Sequence, residues 1–424
     1  MTTACHARFA ALMGIACLLG AAEGRAQADD DLFDHIDDAL TFGSAGEAVR
    51  ARVSGTLDLE GIYMSQPEEG LVFSDGNAVL VPRLSLFVDA QVGPRLYAFV
   101  QARADNGFDP GEEGPHLRLD EYVLRLTPWD DGRLSVQVGK FATVVGNWTP
   151  RHGSWENPFI TAPLPYENVT GIWDTNAVRS ATELMVWAGV SPRPNRGGAF
   201  LVKYRNVPII WGPSYASGAS IFGAAGRLEY AFEVKNTSLS SRPETWSPTD
   251  TQWQNPTFSG RIAYVPNEMW TLGFSASTGA YLQGEAQPGL LSGVSLDRYT
   301  EVLVGQDLGF AWHHFQVWAE AFEARFEIPG VGSARTQACY VEAKYKFTPQ
   351  FFGALRWNQQ AFSALPIPGG GSAPWSRDTW RLDVGPGYRF TPHTQIKLQC
   401  SIEHQDADSN AWSSLVAVQF TARF

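Results

Sequence analysis

Basic side chains at Arg103, Arg125, Lys344, Arg356, Arg381 and Lys397, and acidic ones at Asp58, Glu60, Asp89, Glu121, Glu229, Glu342, Asp383 and Glu403, occupy alternate positions in segments whose intervening residues are mostly apolar. Charges of both signs set around water do not make or break bonds. They orient and sort polar solutes by their field. The plainer alternative is that they pair with one another for stability. A second group lies in the stretch Ala142 to Ser180, where Trp148, Arg151, His152, Trp155 and Glu156 stand close together, with Asn157 and Tyr166 beyond. Folded into a passage, this stretch would narrow it, with Arg151 and His152 drawing anions and the aromatic faces guiding sugars. Otherwise it is a packed outer loop held by Pro150, Pro158, Pro163 and Pro165. Bond-making chemistry has no signature here: G-x-S-x-G, H-E-x-x-H and P-loop motifs are missing. His313-His314 reads as an exposed turn and Gly369-Gly370-Gly371 as a loop tip. No cofactor is implied.

The elements that must carry these charges are strands. From Arg52 onward the hydrophobic period is two: Val53, Gly55, Leu57 and Leu59 oppose Arg52, Ser54, Thr56, Asp58 and Glu60, and Leu84, Leu86, Val88 and Ala90 oppose Arg83, Ser85, Phe87, Asp89 and Gln91. The pattern recurs to the C-terminus. There Val416, Val418, Phe420, Ala422 and Phe424 share one face, and the chain stops on an aromatic. A terminal Phe on a closing strand is similar to the sorting signal read by the barrel-assembly machinery of outer membranes, and Phe424 is assigned that role.

At the other end Arg8, an apolar run from Phe9 to Ala22 and Ala26-Gln27-Ala28 read as a secretory leader over residues 1–28. The run is too short to span a bilayer. Residues 29–48 read as a periplasmic arm or short helix, acidic, with Leu32, Phe33, Ile36 and Leu40 at helical spacing, or else as a solvated tail. Without the leader, which holds Arg8, Arg25 and Glu23, the 32 basic and 44 acidic residues become 30 and 43, a net of -13, which excludes a nucleic-acid binder. Cys5 and Cys17 leave with the leader. Cys339 and Cys400 are too few for a disulfide framework or a zinc site, and their parity puts both on the apolar face, unpaired.

Mean hydropathy is only -0.17. A membrane protein so modestly apolar must be a barrel, because each strand offers lipid every second residue. The 25 Phe, 15 Trp, 13 Tyr and 41 Gly fit interface girdles and curved strands. Connections take turns between short ones (Gly93-Pro94, Thr127 to Gly132, Ser191 to Gly197, Ala225-Gly226, Pro266-Asn267, His313-His314, Thr348-Pro349, Thr391-Pro392) and long ones near 65–80, 105–116, 142–180, 206–213, 237–256, 281–297, 326–335, 362–376 and 406–412. Short turns then lie on the periplasmic rim and long loops outside. This predicts an all-β, transmembrane, antiparallel up-and-down barrel over 49–424 with 18 strands, or 16 if the weak stretch Ala199 to Ala225 is loop. The first two outer loops, near 65–80 and 105–116, carry Glu68, Glu69, Asp75, Asp105, Asp109, Glu112 and Glu113 and hold no Lys or Arg of their own, a place for divalent cations to bridge to lipopolysaccharide.

Leu119 to Leu126, followed by Leu134 to Gln137 and Val138-Gly139-Lys140-Phe141, resembles a hairpin and strand of the phosphate-selective porins of the O and P type. In that family the strand leads into a long loop that folds into the barrel, and here Ala142 to Ser180 follows at once. The resemblance implies a porin, a passive channel for small hydrophilic solutes with possible phosphate or anion preference, and a homotrimer. The loop offers Arg151 and Arg179 against Glu156, Glu167 and Asp174, without the family's enrichment in Lys and Arg. Readings from other classes are a secreted β-rich hydrolase and a barrel serving as anchor or adhesin.

Overall fold

The computed structural model describes residues 35–36, 39–43, 48–65, 76–105, 116–188, 206–243, 256–366, 370–406 and 412–424. The leader, Glu68, Glu69, Asp75, Asp109, Glu112, Glu113 and the turn Ser191 to Gly197 lie outside them.

Alternation along the chain becomes sixteen long strands: β1 Val49–Met64, β2 Ala78–Val92, β3 Leu96–Asp105, β4 His116–Leu126, β5 Ser135–Phe141, β6 Ala216–Ala225, β7 Leu228–Lys235 and β8 Thr257–Asn267. The second half is β9 Trp270–Ala280, β10 Thr300–Trp312, β11 Phe315–Ile328, β12 Gly332–Lys346, β13 Phe351–Phe362, β14 Thr379–Arg389, β15 Thr394–Gln405 and β16 Trp412–Arg423. Each pairs antiparallel with the next, and β16 pairs with β1 through Phe420 opposite Leu59, closing the sheet into a barrel. Closure leaves no long edge with unpaired backbone groups, which a strand surrounded by lipid could not tolerate. The arm before β1 ends in a short strand, Thr41–Gly43, laid against Arg50 to Arg52.

The faces are inverted relative to a water-soluble protein. Leu57, Leu59, Leu80, Leu84 and Leu86 point outward and exposed, while Asp58, Glu60 and Ser85 point inward and are buried. A leucine-sized side chain gains roughly 1.5–3 kcal/mol on leaving water, so this exterior is suited to hydrocarbon. Cys339 and Cys400 follow the same parity and form no disulfide. β13 and β14 lie between their strands. Three strand steps of about 4.8 Å keep them beyond disulfide reach.

The two copies of aromatic-x-Phe-Thr-Pro build the same turn. Thr348 Oγ1 accepts the Phe351 N–H at 2.9 Å and Thr391 Oγ1 accepts the Thr394 N–H at 3.1 Å. Each turn therefore satisfies its own backbone, and Tyr345, Phe347 and Phe351 cluster beside one of them.

The strand number is sixteen, the second of the two expected, although Ala199 to Ala225 is not all loop, since Ala216–Ala225 is β6. Other expectations need correcting. The segment Ala181–Trp187 is instead a helix, its N-terminus capped by Ser180 Oγ accepting the Glu183 N–H. Among the described residues none between Phe141 and Ala216 belongs to a barrel strand, so the excursion runs past Ser180. The long loop expected near 326–335 is only Pro329, Gly330 and Val331, because Phe326, Ile328, Ala334 and Thr336 keep alternating inward and are buried. Asp105 is no outer-rim charge: it ends β3 facing inward and is buried against Arg103 and Arg118.

One glycine makes room for the last residue of the closing ladder. Phe424 exchanges both backbone hydrogen bonds with Gly55 at 2.9 and 3.0 Å. Its ring lies so close over Gly55 that a Cβ there would meet it at 2.5 Å.

Candidate functional site: the lumen and its inserted segment

After β5 the chain from Ala142 leaves the wall and folds across the inside of the barrel. Gly146 makes its first sharp bend, with φ +77°, and a Cβ there would strike the Tyr166 hydroxyl and the Glu320 carboxylate. Glu320, on β11, collects the bend: it accepts the backbone N–H groups of Asn147 and Trp148 and the Tyr166 hydroxyl, the last at 2.7 Å. Wall carboxylates Glu121 and Glu233 take the N–H groups of Ala142 and Val144 in the same way, both at 3.2 Å. A backbone that abandons the ladder finds its acceptors in lumen side chains.

Farther along, the wall of β12 to β15 holds the segment by ion pairs and carbonyl clamps. Arg151 Nη1 meets Glu342 Oε1 at 2.5 Å, its Nη2 donates to the Tyr340 hydroxyl at 2.9 Å, and its guanidinium lies 4.3 Å from the Trp318 ring centre. Arg356, fully buried, reaches Asp383 at 2.8 Å, Glu342 at 3.4 Å and the Thr161 carbonyl at 3.1 Å. Arg381 pairs with Glu167 and with Asp383, and donates to the Ala162 carbonyl at 2.6 Å. The Lys397 ammonium gathers the carbonyls of Ser154, Asn157 and Phe159 at 2.7, 2.9 and 3.2 Å. Gln399 Oε1 accepts the N–H groups of Ile160 and Thr161. Arg356, Arg381, Asp383 and Lys397 thus face inward as the alternation predicts, but the segment covers them.

The opposite wall, β1 to β4, stands apart from the segment at one place. Between it and the segment lies a cavity of about 350 Å³. Its wall side carries Arg83, Arg103, Arg118 and Asp120, and its segment side Trp148, His152, Trp155 and Glu156. Of the expected constriction residues, four face this space. The fifth, Arg151, points away from it into the Glu342 pocket.

The guanidiniums of this wall are matched by carboxylates. Arg83 pairs with Asp58 and Glu60, Arg103 with Asp105 at 2.5 Å, and Arg118 with Asp120 at 2.8 Å and Asp105 at 3.3 Å. His152 contributes no charge at neutral pH. Burial pushes its imidazole down to about 4, a hydrogen bond to the Thr149 carbonyl opposes this, and the Arg103 charge adds to it. Nδ1 lies 2.5 Å from that carbonyl and therefore carries the proton, which leaves Nε2 to accept the Tyr215 hydroxyl at 2.7 Å.

Toward the rim of the short turns the balance changes. Trp155 lies between two guanidiniums, Arg389 at 4.8 Å and Arg423 at 4.0 Å from its ring centre. Lys344 lies 4.3 Å from the Phe352 ring centre. None of these three makes an ion pair among the described residues. Arg125, also on this side, is held by Gln137 at 2.9 Å and lies over Tyr97 and Phe222.

Sequence reasoning left out Arg118, Tyr215 and the anchoring role of Glu320, and named Arg83 only as part of an alternation. Arg118 shares parity with Asp120 and could have been placed by it. Tyr215 carries no sequence signal, because it follows the excursion that was read as strands.

Solved structures with this fold are numerous. The fold is that of the outer-membrane porins. The anion-selective porin from Comamonas acidovorans superposes with a TM-score of 0.55, 11% identity, and coverage of 89% of this chain and 100% of that one. OmpT, an outer membrane protein of Vibrio cholerae, in its trimer form gives 0.53, 9%, 89% and 100%. The outer membrane channel DcaP of Acinetobacter baumannii gives 0.53, 10%, 90% and 99%. No protein-family model matches the sequence, and no curated protein matches it. Identities this low speak for the fold alone.

Proposed function

We propose that this chain is an outer-membrane diffusion channel for small hydrophilic solutes. The observation that carries the reading is the charged cavity between the Arg83, Arg103 and Arg118 wall and the inserted segment, inside a barrel whose exterior is apolar. Trp148, His152, Trp155 and Glu156 would form the narrow side of the passage, with Arg151 fixing the segment that carries them. Transport needs no energy source: a solute sheds little water where side chains of both signs replace it. A modest anion preference is the reading for the cations near the short turns, Lys344, Arg389 and Arg423; phosphate is not singled out by any arrangement of donors. Purified protein in planar bilayers should give stepwise, ohmic conductance. Liposomes carrying it should swell in small sugars and not in large ones. Failure of both would refute the channel.

The route to the membrane is also a proposal: a leader over 1–28, removal of it, and insertion through the barrel-assembly machinery by way of Phe424. The surrounding partners are outer-membrane lipid and lipopolysaccharide, and a homotrimer is the expected assembly. Deleting Phe424 removes the residue whose backbone and ring close β16 on Gly55. The amount of heat-modifiable barrel in outer membranes should then drop, while Gly55→Ala should reproduce part of the loss by displacing the same ring. Normal assembly of both variants would remove the signal.

A further inference from the structure

We propose that the outward face of β10 to β13 is where copies of this chain meet in the membrane, Gln306 of one copy bonding to Gln359 of the next. One row of cross-strand neighbours carries the argument: Phe274 on β9, Gln306 on β10, Ala321 on β11, Cys339 on β12, Gln359 on β13 and Trp380 on β14. All six point away from the lumen. Read across the wall, the row runs large, amide, small, small, amide, large. Two hollows of about 540 and 760 Å³ open on that face, and Phe274, Gln306, Ala321 and Cys339 line both. A wall shaped for acyl chains alone carries side chains such as Leu59, Leu86 and Val384. Both amides lie inside the apolar band. Gln306 stands six residues before Trp312, and Gln359 eight after Phe351. At about 3.3 Å per residue and a tilt near 40°, that is about 15 to 20 Å above the short turns, within a band about 25 Å tall. Val304 and Leu308 flank the first amide on its own strand, Trp357 and Ala361 the second. Neither amide has a hydrogen-bond partner among the described residues. Hydrocarbon offers none, so their donors and acceptors stay unmet until another protein surface supplies them.

A second copy is the occupant that this row fits. The two amides are three strand steps apart, about 14 Å, on either side of the small residues. Copies inserted the same way round are related by an axis along the membrane normal. A two-fold or three-fold axis in front of Ala321 and Cys339 sets the Gln306 side of one copy against the Gln359 side of its neighbour. Their heights differ by about two residues, about 5 Å, a gap that two glutamine side chains bridge. Since an amide both donates and accepts, every contact repeats the same pair and the assembly closes with none left over. A lipid headgroup or a foreign helix would have to bring matching groups to both points at that depth. Just outside the row Gln337 already donates to Glu323 at 3.0 Å, so the open amides are those of the row. The inner side of the same wall carries Glu320, Glu342 and Arg356, the anchors of the inserted segment. A contact behind them stiffens the wall that sets the width of the passage. The proposal names the face of the expected assembly, and it rests on a barrel placed in lipid, not on conduction.

The test uses the full chain in outer membranes and its own two cysteines. Cys339 lies in the row, whereas Cys400 points outward between Val384 and Val416. A lipid-soluble maleimide should therefore modify Cys400 several-fold faster than Cys339, as read by peptide mass spectrometry. Gln306→Leu with Gln359→Leu should bring the two rates together and raise the dissociation constant of the detergent-solubilised particle by about tenfold. Ala321→Trp fills the groove from the lipid side. It should leave heat-modifiable barrel in the membrane, yet light scattering should show single copies where the unaltered chain gives a dimer or trimer. A multimer untouched by Ala321→Trp, or Cys339 labelled as fast as Cys400 in the unaltered chain, overturns the proposal, because copies then meet on another face. A single-copy particle whose Cys339 is still shielded overturns it too and gives the groove to lipid or to another protein. Conductance from single copies would leave the channel reading standing without this contact. A multimer dispersed by Ala321→Trp that never conducts would sink the channel and leave the contact.

Discussion

Replacing Arg151 by glutamate should raise single-channel conductance severalfold and lower the temperature at which the barrel loses its folded gel mobility. The reason is mechanical before it is electrostatic. Arg151 is the strut between the inserted segment and the β12 wall, with Glu342, Tyr340 and the Trp318 ring all on its guanidinium. The substitution removes these contacts and sets a third carboxylate beside Glu342 and Glu320. Breaking a buried pair by removing one partner costs about 3–5 kcal/mol, and adding a like charge makes the closed position worse. Arg151→Met is the milder comparison, since Glu342 keeps Arg356 at 3.4 Å. It should open the channel less. If Arg151→Glu shifts the reversal potential toward cations without raising conductance, Arg151 is a selectivity charge and not a strut.

The barrel was legible because its physics is local. A strand between lipid and water must alternate, so the parity of Leu57, Leu59, Asp58 and Glu60 gave the faces, and Thr348-Pro349 and Thr391-Pro392 gave the turns. Parity also sufficed to send Arg103, Glu342, Arg356, Arg381 and Lys397 inward. What parity cannot say is what stands in front of an inward residue. Arg356 and Arg381 face the lumen and are sealed by Thr161 and Glu167, contacts about two hundred residues away in sequence. The end of the excursion, past Ser180, was misjudged for a related reason. Its apolar residues are buried against the inside of the wall, so it looked like more wall. A signal was available: Ser180-x-x-Glu183 is a helix-capping pattern, and it outweighs the short apolar run that follows. Asp105 was misplaced by composition, since the acidic stretch after it hides that β3 still alternates through Arg103 to Asp105. The vestibule was unreadable, because Lys344, Arg389, Arg423 and Trp155 come from four separate segments.

Changing Asp105 and Asp120 together to asparagine should turn a weakly selective passage into an anion-preferring one. Both carboxylates lie beside Arg103 and Arg118, at 2.5 to 3.5 Å from their guanidinium nitrogens. They hold the field of those two cations to short range. Asparagine keeps the shape and some of the hydrogen bonds but cancels two negative charges, so an anion in the 350 Å³ cavity meets cations that are no longer compensated. At a few ångströms one unit charge is worth about 1 kcal/mol in bulk water and about 4 kcal/mol near a protein surface. Each 1.4 kcal/mol is a tenfold ratio, so the anion-to-cation permeability ratio should rise by roughly tenfold. The reversal potential under a salt gradient reads this directly, and the change should fade as salt is raised and the Debye length falls. The opposite change, Arg103→Gln with Arg118→Gln, leaves Asp105 and Asp120 unpaired and should move the potential toward cations. Should both pairs leave it where it was, solutes do not pass along the β1 to β4 wall, and the cavity there is no part of the conducting path.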